Sequence, residues 1–137
     1  MPGSFFDSNV LLYIASADQA KADRTERLVA DGGTISVQVL NEIANVARRK
    51  MALSWNETRA FLSMMRALLP VHPLTTTLHE KGLDLAERYG FSIYDAMIVA
   101  AALQADCETL WSEDMQDGLI VEGRLRIADP FAPAPEA

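Results

Sequence analysis

The chain is poor in cysteine, histidine, long apolar runs and positive charge, and each shortage removes a class of function. Cys107 is the only cysteine, so no internal disulfide can form and a reducing, cytoplasmic setting is expected. His72 and His79 are the only histidines and stand seven residues apart with a proline between, which is not the spacing of a zinc pair. Both read as structural or exposed. No run approaches the roughly 20 apolar residues that span a bilayer, and Met1 to Phe6 lacks the regions of a secretory signal. No membrane association is expected. Acidic residues outnumber basic ones by 19 to 12, a net charge of −7, which argues against a general coat protein for nucleic acid. Bound divalent cations or local basic clusters would reverse that locally. Arg48, Arg49 and Lys50 form one such cluster, and Arg124 with Arg126 another; the plain alternatives are a solvated helix end and a solvated strand face.

What remains reads as one α/β domain over residues 1–129, followed by an irregular proline-rich tail at 130–137. The 137-residue length fits a single domain, and half the residues are hydrophobic, enough for a continuous core. Gly3 to Phe6 reads as a first strand stopping at Asp7, and Asp7 or Ser8 can cap the short helix that follows. A helix from about Asp18 to Ala30 ends at Gly32-Gly33. Thr34 to Ser36 is a short strand, and Val39, Ile43, Val46 and Ala47 recur at helical spacing between Val37 and about Met51. Capping boxes at Ser54–Glu57 and Thr77–Glu80 open two more helices. Between them, Leu69 to Leu74 makes a short or edge strand. A cap-like Ser92 to Asp95 leads a helix to about Ala105. Thr109 to Trp111 and Arg124 to Ile127 complete the strands. Short strands alternating with helices, with connections too long for hairpins, predict a parallel sheet covered on both faces. Ligands then bind at the carboxyl ends of the strands.

Four acids gather where that architecture places a site. Asp7 and Asp114 each fall just past a predicted strand, although Asp7 is also a helix cap and Asp114 lies in an acidic turn with Glu113 and Asp117. Glu42 borders the apolar stripe of its helix, next to Val39 and Val46; a half-buried carboxylate there wants a cation, either an arginine or a metal. Asp95 stands at the mouth of a helix that is apolar on every face from Ala96 to Leu103. The helix dipole favours a carboxylate there. Ser92 can supply the N-cap, which frees Asp95 for other work. Carboxylates crowded at one sheet edge repel one another, and a hard divalent cation resolves the conflict while activating a water.

In these segments the chain resembles a known family. Phe5-Phe6-Asp7-Ser8-Asn9-Val-Leu-Leu-Tyr13 resembles the opening of PIN domains. Val39-Leu-Asn-Glu42, Ile93-Tyr-Asp95-Ala-Met-Ile-Val-Ala-Ala-Ala102 and Trp111-Ser-Glu-Asp114-Met-Gln-Asp117-Gly118 resemble the later acidic motifs, in the right order. The length and last two motifs look most like VapC-type toxins of toxin–antitoxin pairs. The resemblance implies a PIN-like three-layer sandwich with a parallel sheet of four or five strands. It also implies a Mg²⁺- or Mn²⁺-dependent endoribonuclease, restrained by a cognate antitoxin and forming a homodimer. Asp7, Glu42, Asp95 and Asp114 would hold the metal, with Asn9 and Ser112 orienting them and Asp117 a further, variable support. Another metal-dependent nuclease, acting on DNA or structured nucleic acid, shares the same chemistry. A Mg²⁺-dependent phosphatase or a phospho-acceptor receiver fits less well, because no lysine follows Lys81.

Overall fold

Phe5 and Phe6 are neighbours on a strand, so their side chains point to opposite faces, yet both are fully buried. The sheet is therefore covered on both sides at its first strand. The computed structural model describes residues 3–133; the last part of the predicted tail lies outside them. The elements run β1 (Ser4–Phe6), α1 (Ser8–Leu11), a 3-10 turn (Leu12–Ala15), α2 (Gln19–Ala30), β2 (Ile35–Ser36) and α3 (Val37–Arg49). Then come α4 (Trp55–Leu68), β3 (Val71–His72), α5 (Thr76–Tyr89), α6 (Ile93–Gln104), β4 (Thr109–Trp111), β5 (Ile120–Val121) and β6 (Leu125–Ala128).

Four strands form one sheet in the order β1-β4-β6-β5, and β2 pairs with β3 separately. A single parallel bridge, Phe5 to Thr34, joins the two pieces. β1, β4 and β6 are parallel, as are β2 and β3. β5 departs from the predicted pattern: it is a strand that sequence periodicity does not reveal, and it runs antiparallel to β6. Glu122 (φ 51°) and Gly123 (φ 70°) both adopt left-handed backbone, which gives the twist a tight hairpin needs. The expectation that every connection is too long for a hairpin fails here for that reason.

The capping signals act locally. Ser54 and Glu57 form a complete capping box, and Ser92 accepts from the Asp95 amide at 3.1 Å. The predicted box at Thr77–Glu80 does not form. Thr75 caps instead, accepting from the Leu78 amide at 3.1 Å, because its backbone is already extended while Thr76 and Thr77 are helical. Helix α6 carries eight consecutive buried residues, Ala96 to Leu103. It packs on α5, where Gly82 leaves room for Met97; a Cβ at Gly82 would lie 2.6 Å from Met97 Cε.

Candidate active site

β1 and β4 are parallel neighbours, with Phe6 beside Trp111, so the loops after them leave the same edge of the sheet. Asp7 leaves the first and Ser112, Glu113 and Asp114 the second. Asp7 is only 2% exposed. Its Oδ1 accepts from the Ser8 amide at 2.7 Å and its Oδ2 from Ser112 Oγ at 2.8 Å and Asn9 Nδ2 at 3.2 Å. Asn9 Oδ1 in turn accepts from the Glu113 amide at 3.1 Å, tying the two loops together. Asn9 and Ser112 thus hold the Asp7 carboxylate in place.

The other three acids arrive from separate elements. Glu42 comes from the middle of α3, half-buried, accepting from Ser8 Oγ at 3.1 Å and Gln38 Nε2 at 2.9 Å. No arginine or lysine forms an ion pair with it among the described residues. Asp95 stands in the first turn of α6, and Asp114 is exposed on the loop after β4. Glu42, Asp95 and Asp114 line one cleft of about 750 Å³, together with Ser8 and Asn9, behind which Asp7 lies.

Charge crowding is visible in the acidities. Burial above all pushes the Asp7 carboxyl from the ordinary 3.8 up to about 6; the Glu42 and Asp95 charges add to it, and the hydrogen bonds from Ser112 and Ser8 oppose it. Asp95 is raised as well, by burial first and then by the charges of Glu42 and Asp114. Glu113, on the same rim, behaves differently. Burial works against its charge, but Lys21 Nζ at 2.6 Å and Tyr13 OH at 2.6 Å outweigh it and hold its carboxyl below the usual range. Glu113 is thereby neutralised within the protein, whereas among the described residues Asp7, Glu42, Asp95 and Asp114 form no ion pair.

Carboxylates that form no ion pair among the described residues, supplied by four segments, suit a hard cation in kind of donor. Among the described residues, no three acidic, histidine or cysteine side chains are already gathered into a metal cage.

Asp117 does not join this cleft. Its Oδ1 accepts from the Asp129 amide at 2.8 Å, and it lines a different depression with Trp111 and Arg126. Of the basic clusters, Lys50 reaches the cleft wall. Arg124 instead bonds Asp106 and the Leu103 carbonyl. Sequence reasoning passed over Ser8 and Gln38. Gln38 was within reach, since it precedes Glu42 by one helical turn; Ser8 bridges Asp7 and Glu42 across the fold, which no local pattern signals. The start of the tail is irregular but packed: the Phe131 ring meets Tyr13 at 5.0 Å, and Arg24 Nε donates to the Pro130 carbonyl.

The same architecture recurs in solved structures. A chain of a toxin–antitoxin complex from Klebsiella pneumoniae superposes with a TM-score of 0.70 at 19% identity, over 94% of this chain and 98% of that one. VapC20 of Mycobacterium tuberculosis, a sarcin–ricin-loop-cleaving toxin, gives 0.66 at 19% identity, over 82% and 90%. A chain of DNA-bound VapBC from Salmonella typhimurium gives 0.68 at 20% identity, over 95% and 99%. At such identities the likeness is one of fold. No curated protein sequence compared with the chain matches it. The model of the PIN domain family matches residues 4–116, a stretch that holds all four cleft acids and the strands that position them, and the chain therefore belongs to the PIN domain family.

Proposed function

We propose that the protein is a Mg²⁺- or Mn²⁺-dependent endoribonuclease, the toxin of a toxin–antitoxin pair. The observation that carries this reading is that Glu42, Asp95 and Asp114 line one cleft with Asp7 buried behind it, and that among the described residues no cationic side chain forms an ion pair with any of the four. A bound divalent cation would supply an activated water and offset charge on the scissile phosphate. Asp7, buried and fixed by Ser112, Asn9 and the Ser8 amide, is the rigid member of the set. Ser8 and Gln38 orient Glu42. Asp95 projects from the N-terminal turn of a buried helix, whose dipole favours its ionised form against the neighbouring charges. Asp114 is the exposed member, on a loop that Asn9 anchors through the Glu113 amide. The neutral Lys21–Glu113–Tyr13 cluster leaves the rim without a further free acid.

The antitoxin reading draws support from the toxin–antitoxin relatives and from an apolar depression away from the cleft. Ile14, Val29, Ala30, Met64 and Leu68 line it, and Met64 and Leu68 are 41% and 55% exposed. A partner helix laying an apolar face there would cover them. A homodimer is the family expectation, and sedimentation of the purified chain tests it.

The decisive assay incubates a panel of tRNAs and structured RNAs with the protein and Mg²⁺ or Mn²⁺, with EDTA and Asp95→Asn as controls. Metal-dependent cutting that Asp95→Asn abolishes, with unchanged circular dichroism, is the expected result. Full activity of that variant refutes the site. Cutting of DNA but not RNA would establish the alternative nuclease, and failure to bind metal would leave the carboxylates purely structural.

A further inference from the structure

Three of the chain's twelve basic residues follow one another at the end of α3, and they are exposed. Among the described residues none of Arg48, Arg49 and Lys50 forms an ion pair. Lys50 lines the acidic cleft, together with Asn45. Asn45 also lines a shallow depression of about 430 Å³ on the outside of α3, shared with Arg48, Arg49 and Trp55. The two hollows therefore adjoin at one side chain, Asn45. Trp55, the first residue of α4, is 59% exposed, an unusual place for so large an apolar surface. It is held rather than loose: the Arg48 guanidinium lies 4.4 Å from its ring centroid while donating to the Leu53 carbonyl at 2.7 Å.

Taking the nuclease reading as its basis, we propose that Asn45, Arg48, Arg49, Lys50 and Trp55 form a secondary binding strip for the RNA strand flanking the scissile phosphate. On a protein of net charge −7, bulk electrostatics repels a polyanion, so capture must come from local contacts. The strip supplies both kinds that unpaired RNA uses. Arg49 and Lys50 present cations to successive phosphates, and the Arg48–Trp55 pair offers a flat π surface on which one base stacks. Paired bases stay stacked within their duplex and cannot occupy that surface without unpairing. Simple complementation of the α3 dipole explains the cations near the helix end. It does not explain an indole pinned open to solvent beside them.

The test is binding of a fluorescein-labelled, 14-nucleotide single-stranded RNA of mixed sequence to the full chain carrying Asp95→Asn, in Mg²⁺, across a salt series. Trp55→Ala is expected to weaken binding about 5- to 150-fold, the range for loss of one stacked base. Arg49→Ala with Lys50→Ala is expected to flatten the salt dependence by about 1.4, two phosphates at roughly 0.7 each. In a Trp111→Phe background Trp55 becomes the sole tryptophan, and RNA should quench its fluorescence. Wild-type affinity and salt slope in both strip variants would overturn the proposal, as would equal binding of a blunt RNA duplex without quenching. Cleavage is scored separately on chains with Asp95 intact. Cutting that persists while the strip variants bind normally sinks the strip and spares the nuclease; strip-dependent binding with no cutting of any RNA does the reverse.

Discussion

Replacing Asp7 by asparagine should make the metal-free protein more stable while destroying the site. The Asp7 carboxyl titrates near 6 in the folded chain against an ordinary 3.8, a difference of about two pH units, or about 3 kcal/mol. Because the folded state holds the proton more tightly than the unfolded state, stability is undiminished below about pH 4. It falls as pH rises towards 6, and above that the full penalty persists. Asparagine carries no charge and escapes the penalty. Its Oδ1 keeps the Ser8 amide bond, and Ser112 can turn its hydroxyl to accept. The Ser112 hydroxyl proton loses the carboxylate it donated to, and the Asn9 amide faces a new donor and keeps only its 3.5 Å contact with Ser112 Oγ; together these cost about 1–2 kcal/mol, which does not vary with pH. The net gain at pH 8 is then about 1–2 kcal/mol, with the pH-dependent part growing by about 1–2 kcal/mol between pH 5 and 8. Urea unfolding in EDTA, followed by circular dichroism at several pH values, measures it. A variant less stable than wild type throughout, or a difference that does not change with pH, would refute the electrostatic account. Mg²⁺ should narrow the gap by stabilising only the wild type.

Ser112→Ala removes the hydrogen bond that favours ionised Asp7, so the acid limb of the cleavage–pH profile should move up by about one pH unit; an unmoved limb would mean that Asp7 does not control it. Gly33→Ala would place a Cβ 2.4 Å from the buried Phe6 ring and 3.0 Å from the Ser4 carbonyl oxygen. Neither neighbour can swing away freely, so thermal unfolding should show a loss of about 1–3 kcal/mol, with activity falling because Phe6 precedes Asp7. An unchanged melting temperature would contradict that packing.

The catalytic role proposed for this cleft works against the stability of the fold. An unpaired, buried carboxylate beside two others raises the free energy of the folded state, and such cost concentrates at functional sites. The surrounding framework bears it: α6 is buried on all sides, and β1 is covered on both faces. Glu113, on the lining of the same cleft, shows the contrast, since Lys21 and Tyr13 satisfy it as an ordinary structural acid.

Much of this was legible in the order of residues. Helices announce themselves through periodic apolar positions and caps such as Ser54 and Ser92, because the hydrogen bonds that start a helix are local. Asp7, Glu42, Asp95 and Asp114 stood out one by one, each at a strand end, a stripe border or a helix mouth. Tertiary structure alone brought Glu42, Asp95 and Asp114 to one cleft with Asp7 behind it and left Asp117 in another, since a turn of the chain after β4 aims Asp114 and Asp117 in different directions. It alone made Ser8 a bridge between Asp7 and Glu42, neutralised Glu113 with a lysine 92 residues away, and folded β5 back on β6. These depend on which distant segments touch, and a short strand or a single hydrogen bond has no period for a sequence to display. Local chemistry is written along the chain, whereas convergence is a property of topology.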